Sequence, residues 1–341
     1  MPKVKDGNPK TSESAEPDPR HLLASYIKHS KEIGIDPCKQ LVAALQNSTN
    51  GGKQIILGRI NKESYEELKS GGCRAFVNAL IESSFSAIEE IRICSQQLGD
   101  QGAISISNLL STTVTRPASE PQFQWKITFL ELLSNGIGPR GAQALGRSLE
   151  VANCTTLATL ILDFNPITSA GAALLCKGLS TNSHLKSLSL NYCNLDGSSG
   201  SAFRSVLTFN RCGLVCLSLS GNAALGGEGL CSISNGLKDN KSMKTIRLAD
   251  CGLGTSNIDQ KGLAEFAHAV STHPQIIAID LSRNYIRTDG GNLLLSGIGN
   301  KPQLTELLIE PNGMHEDVFK ALYRSSASKS SSKKKKSKKK Q

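Results

Sequence analysis

Two groups of side chains in this sequence have the types and spacing needed for recognition chemistry. Asp163-Phe164 is followed 28 residues later by Asn191-Tyr192, a polar residue and then an aromatic one in each case. Polar neighbours around large aromatics are the composition of interface hot spots. Arg247 and Asp250 are followed 33 residues later by Asp280 and Arg283, four charges of both signs. That set reads either as a second contact patch or as a solvated face holding internal ion pairs. Catalytic chemistry has no comparable set. None of His21, His29, His184, His268, His273 and His315 pairs with a Ser, Cys or Asp that the repeat carries, and neither a G-x-x-x-x-G-K-[ST] loop nor H-E-x-x-H occurs. Cys212 and Cys216 lack the second pair or nearby histidine that a zinc site needs. The residues call for no cofactor and no metal.

The elements that must position these groups come from a repeat. Leu157, Leu160, Leu162, Asn165, Ile167, Gly171, Leu175 and Leu179 lie at offsets 0, 3, 5, 8, 10, 14, 18 and 22. The copies opening at Ile127 and Ile276 keep the same eight offsets. Looser copies open at Ile88, with Gln96 in the asparagine slot, and at Leu185, Leu214, Met243 and Leu304. A fixed period in this range signals a solenoid. Offsets 3 and 5 share one face of a short strand. The later G-x-x-x-L-x-x-x-L spacing draws one apolar stripe along a helix. The residue at offset 8 turns the chain inside the core, where an amide that both donates and accepts satisfies the backbone. Cys193 and Cys251 fit this slot as small, weakly polar groups. A buried Leu or Ile contributes about 1.5–3 kcal/mol, and chain entropy offsets nearly all of it. The repeats must therefore fold together.

This strand-plus-helix unit, with Asn or Cys at its turn, resembles the ribonuclease-inhibitor-like class of leucine-rich repeats over residues 88–322. The resemblance implies an α/β solenoid shaped as a horseshoe, with a parallel sheet on the concave face and helices on the convex face. A second resemblance lies ahead of the repeats. The pattern S-Y-x-x-x-x-x-x-x-G-x-x-P-x-x-x-L-x-x-x-L from Ser25 is similar to the N-terminal heads of leucine-rich-repeat proteins of centrosomes and cilia.

Four regions are expected. Residues 1–20 are polar and proline-rich and read as disordered. Residues 21–87 read as a helical cap with an irregular first repeat. Its helices start at Asp18-Pro19 and Asp36-Pro37, and a helical pattern over 62–84 is interrupted at Gly71-Gly72. Residues 88–323 hold eight repeats, with insertions at 112–125 and 254–261. Residues 324–341 form a polybasic tail. The formal charge is +10, but Lys329, Lys333, Lys334, Lys335, Lys336, Lys338, Lys339 and Lys340 supply eight of it, leaving the rest near neutral. No 18-residue apolar run occurs, so the sequence offers no transmembrane segment. With no secretory signal at Met1–Lys10, the ten cysteines read as reduced thiols and the chain as cytoplasmic, with the centrosome or cilium and the nucleus as alternatives.

These features point to a non-enzymatic scaffold that binds a protein partner on its concave face. Asp163, Phe164, Asn191 and Tyr192 form one patch; Arg247, Asp280 and Arg283 form a second. The lysine tail is a second attachment to an acidic surface such as tubulin tails, anionic lipid, nucleic acid or an import receptor. The first alternative is a GTPase-activating protein for a Ran-like small GTPase, since the Ran activators use this repeat class. The sequence departs from that family in having a basic rather than acidic tail and no N-R-L turn, with Arg283 before Asn284 instead of after it. The second alternative is a nucleic-acid or membrane adaptor acting through the tail alone.

Overall fold

The computed structural model describes residues 18–47, 51–58, 66–112, 125–150 and 154–325. Within them nine strands form one parallel sheet in chain order. β1 is Gln54–Leu57, β2 Glu90–Ile93, β3 Phe129–Glu131, β4 Thr159–Ile161 and β5 Ser187–Ser189. β6 is Cys216–Ser218, β7 Thr245–Arg247, β8 Ala278–Asp280 and β9 Glu306–Leu308. The cap supplies α1 (Pro19–Glu32), α2 (Lys39–Gln46) and α3 (Lys69–Ser83). One helix then follows each repeat strand: α4 (Gly99–Ser111), α5 (Pro139–Ser148), α6 (Thr168–Leu179) and α7 (Gly200–Leu207). α8 (Gly226–Asp239), α9 (Asn257–Thr272), α10 (Arg287–Ile298) and α11 (Glu316–Leu322) complete the set.

The sheet register follows the offsets. Ile91, Leu130, Leu160, Leu188, Leu217, Ile246, Ile279 and Leu307, all at offset 3, are paired in sequence across the sheet and buried. Helices stack about 8–10 Å apart and strands about 4.8 Å apart. Stacking one of each per repeat therefore bends the array with its sheet on the inside.

The run at 54–57 is a ninth strand, paired in register with β2, so the sheet begins before the first regular repeat. The cap departs from the sequence reading in two places. Asp36 does not cap α2, whose first residue follows Cys38 with no side-chain cap. Gly71-Gly72 does not interrupt α3, because Gly72 gives room to Leu68, whose Cδ1 would stand 2.8 Å from an added Cβ. Asp18 does cap α1, accepting from the Arg20 amide, so the last residues of the presumed disordered segment are part of this helix. Glu82 of α3 ties α1 down by accepting from Lys28 and Ser25, and those bonds hold its carboxyl down to about 2.

The insertion at 254–261 is mostly the first turn of α9, capped by the Ser256 hydroxyl accepting from the Asp259 amide. Trp125 is buried at the foot of β3, while the rest of the 112–125 insertion beyond Thr112 lies outside the described residues. At the far end Arg324, assigned by sequence to the tail, belongs to the array. Its backbone pairs antiparallel with Leu307, and its guanidinium donates to the carbonyls of Ile298, Gly299, Lys301 and Leu304.

The offset-8 side chains build a continuous buried ladder. Asn165 Oδ1 accepts from the amides of Asn135 and Ile137, while its Nδ2 donates to the carbonyls of Leu132 and Leu162. Asn222 and Asn284 do the same one repeat apart from the cysteines, and Asn312 serves the last turn. Gln96 continues the ladder into the cap by accepting from Leu68 N. Replacing Asn165 by Leu orphans donors and acceptors in two repeats at about 1–3 kcal/mol each. Urea unfolding is expected to show a loss of about 3 kcal/mol or more.

A second series, not anticipated from sequence, sits three residues before the first apolar position. Asn182 and Asn240 cap the helix-to-strand turns there, and His273 occupies the same position in the next repeat. His273 Nδ1 accepts from Gln275 N and Nε2 donates to Asn240 Oδ1, an arrangement that requires neutral imidazole. Burial, with Lys301 and Lys241 nearby, pushes its pKa down to about 4. The unfolded chain protonates this ring near 6.5, so the stability is intact above that pH and falls as the pH drops from 6.5 to 4. The loss reaches about 3 kcal/mol by pH 4. Melting curves recorded from pH 7 to 4 should show it, and His273→Asn should flatten the profile.

Candidate functional site

The candidate surface begins with a backbone constraint. The residue before seven of the eight ladder positions takes left-handed dihedrals: Ser95, Ser134, Phe164, Tyr192, Gly221, Asp250 and Arg283 all have φ between 53° and 74°, whereas Asn312 follows Pro311, whose ring holds φ negative. The ladder imposes this, because the chain must turn there while its amides still pair with the next repeat, as in Phe164 N to Asn191 O and Tyr192 N to Ser220 O. The side chains at these positions project at the rim where the strands end.

Phe164 and Tyr192 therefore stand side by side on this rim. Their rings stack with centroids 4.6 Å apart and planes 9° from parallel, yet they remain 51% and 40% exposed. Tyr192 in turn lies over Gly221, where any Cβ would come within 2.3 Å of its ring. Gly221 thus leaves the aromatic deck flat.

Beneath the deck runs a polar network on the open sheet face. Asp163 accepts from the amide nitrogen and the Nδ2 of Asn191. Asn191 Oδ1 accepts from the Ser218 hydroxyl and the Ser220 amide. Positions at offsets 4 and 6 are half-buried or exposed as the strand alternation requires, except Ser218, which is buried under this network. The network is internally satisfied, so it supports the rings and fixes their orientation. Asp163, Phe164, Asn191 and Tyr192 form one contiguous patch.

The second group behaves differently. Arg247 and Asp280 are in register on adjacent strands. The Arg247 guanidinium nonetheless lies against Cys216 Sγ at 3.1 Å, and Asp280 accepts from its own neighbour Ser282 N. Asp250 and Arg283 are rim neighbours. Among the described residues no ion pair within 4.0 Å joins any two of the four, which corrects the expectation of internal pairing. At the other end of the sheet Arg92 is paired with Glu90 and Glu131 and covers the Phe129 ring at 4.3 Å. That cluster was not singled out from sequence, since its members are ordinary strand residues 39 positions apart.

Six of the ten thiols are buried in the scaffold, and Cys94, Cys212, Cys216 and Cys231 are half-buried. Burial pushes Cys73, Cys176, Cys193 and Cys251 up to about 12, where they stay protonated and unreactive. Among the described residues no cluster of His, Cys, Asp or Glu is arranged to hold a metal, and no helix is long and apolar enough to cross a membrane. The lysines from Lys333 to Lys340 lie outside the described residues.

Comparison with known proteins finds leucine-rich repeats by sequence. The Leucine Rich repeat family model matches residues 126–146, 153–176 and 181–203. The chain is 29% identical to the ribonuclease inhibitor of Sus scrofa over 215 residues, 62% of this chain and 43% of that one. It is 30% identical to NACHT, LRR and PYD domains-containing protein 12 of Homo sapiens over 159 residues, 46% of this chain and 14% of that one. The yeast Rad7–Elc1 complex structure aligns with a TM-score of 0.35 at 12% identity, over 74% of this chain and 69% of that chain. The chain spans less than half the length of these curated relatives. Its repeats are leucine-rich repeats, similar to those of the ribonuclease inhibitors.

Proposed function

We propose that this protein is a non-enzymatic binding scaffold whose partner docks on the aromatic rim and open sheet face of the third and fourth repeats. One observation carries the reading. Phe164 and Tyr192 occupy left-handed positions that cost a side chain about 1–2 kcal/mol, and they still leave 51% and 40% of their surface exposed. Folding alone favours glycine or asparagine there. A flat, exposed aromatic pair held rigid by a satisfied polar network is instead what a partner needs as an anchor. The relatives named ribonuclease inhibitors support the same class of role.

The unpaired charges Arg247, Asp250, Asp280 and Arg283 extend the surface along the same side. They supply orientation and selectivity by charge complementarity more than affinity. The lysine-rich tail serves as a second, salt-sensitive attachment to an acidic surface, such as tubulin tails, anionic lipid, nucleic acid or an import receptor. A centrosomal, ciliary or nuclear site of action accords with that attachment.

The test uses Phe164→Gly combined with Tyr192→Gly. Glycine accepts φ > 0 without strain, so stability is expected to change by no more than about 1 kcal/mol while capture of the partner falls at least tenfold. Quantitative affinity capture with the full chain reads this, alongside Lys177→Glu on the outer helix face as control. Loss of capture with the helix variant but not with the double glycine would place the partner on the wrong side. The activator alternative is tested separately. Single-turnover GTP hydrolysis by Ran should be unchanged by micromolar chain; stimulation of about 10³-fold or more, the lower range for an arginine finger, would replace the scaffold reading.

A further inference from the structure

The edge of the sheet opposite the aromatic rim, where helices return to strands, carries a groove of about 460 Å³. Lys186, Arg211, Lys241 and Lys244 line it, with Asp239 as the single carboxylate. All four cations are exposed, and among the described residues none forms an ion pair.

The backbone brings two of them to bear on one point. Val215 N donates to Lys186 O and Lys244 N donates to Val215 O, so the three residues share one register on adjacent repeats. At about 4.8 Å per strand the two lysines are rooted about 10 Å apart, one on each side of Val215. Their long, flexible stems can converge above it. Lys186 is already folded inward, its Nζ donating to Ser183 O at 3.2 Å. Gly213 permits this, since a Cβ there would stand 2.2 Å from the Ser183 carbonyl oxygen and 2.7 Å from Lys186 Nζ.

Charge fixes the ligand class. Asp239 contributes one negative charge and the C-terminal ends of α7 and α8 about −0.5 each. Against four cations this leaves about +2, which matches the −1.5 to −2 of a phosphate monoester. The floor adds an apolar contribution from Phe209 and Val215, and the exposed Ile277 stands next in register to Lys244. A free anion has no use for that surface, but the residue flanking a phosphorylated side chain does. Nucleic acid requires a longer basic track with stacking platforms. Here the same register position holds Ala158 on one side and Ile277 and Thr305 on the other, so the basic patch ends after three repeats.

We propose that this groove binds a phosphorylated serine or threonine of a protein segment, independently of the aromatic rim. The full chain is incubated with a short peptide carrying phosphoserine next to leucine, with its unphosphorylated twin, or with inorganic phosphate. Lysine acylation is then followed by mass spectrometry, which separates these lysines from those of the tail. The phosphopeptide is expected to slow acylation of Lys186 and Lys244 at least threefold, and the twin to leave it unchanged. Lys186→Ala with Lys244→Ala, both on the exposed surface, should weaken phosphopeptide binding at least tenfold. Phe164→Gly with Tyr192→Gly should leave it intact. Equal protection by the twin or by inorganic phosphate at the same concentration would overturn the assignment, as would protection confined to the tail lysines.

Discussion

A side-chain amide that donates backward and accepts from the preceding turn is the interaction on which this molecule rests. In a parallel sheet of three-residue strands, the chain leaves each strand almost at once and must turn inside the apolar layer. Its N–H and C=O groups there are out of reach of water, and each orphan costs about 1–3 kcal/mol. The hydrophobic stripe cannot solve this. Asn135, Asn165, Asn222, Asn284 and Asn312 solve it with one side chain serving two repeats. Cys193 and Cys251 show how far the slot can be simplified. Their thiols donate to the carbonyls of Leu162 and Leu219, and the backbone N–H groups of Asn165 and Asn222 face the sulfurs. The thiol does both jobs weakly, and in each case an asparagine in the following repeat takes the remaining donors.

The same ladder creates the exposed rim. Because the chain pairs up to the residue before the amide and then turns, that residue takes φ of 53–74° in seven repeats through six different side-chain types, Pro311 of the last repeat being the exception. The rim is consequently a row of positions whose backbone is fixed by the core and whose side chains are free to vary. Two neighbouring aromatics placed in such a row have no choice but to stack, at the 4.6 Å seen for Phe164 and Tyr192. Pre-organisation of this kind lowers the entropic cost of docking. The strain of left-handed backbone is borne by the whole array.

The fold was readable in the sequence because spacing is the signal of a solenoid. Eight offsets gave strand, turn and helix, and even the imperfect copies with Gln96, Cys193 and Cys251 kept their slots. What escaped were features with no fixed residue type. The second series of turn-capping side chains uses Asn182, Asn240 and then His273, and elsewhere Cys154, Arg211 and Lys301 occupy the corresponding position, so no repeat appears. The left-handed row mixes Ser, Phe, Tyr, Gly, Asp and Arg. Local punctuation misled where packing overrode it. Gly71-Gly72 reads as a break, but close approach of Leu68 makes a small residue at 72 the one that lets α3 continue. The charged group at Arg247 and Asp280 was found by register. Register alone did not say that the guanidinium would turn toward Cys216 instead of the carboxylate beside it.

Parallel topology also decides how many surfaces such an array can offer. Every strand runs the same way, so all strand ends gather on one edge and all strand starts on the other. The first edge leads to helix N-termini and the second receives helix C-termini, giving the two edges opposite partial charges of about half an electron per helix. Cations at the second edge first neutralise those helix ends, which is why an ordinary scattering of lysines there would leave no net field. Around Val215 the side-chain charge exceeds what two helix ends and Asp239 can absorb. The aromatic rim lies across the width of the sheet from that excess, separated by strands too short to move independently. A ligand on one edge therefore leaves the other open, and two segments of one partner, or two different partners, can be held by the same few repeats.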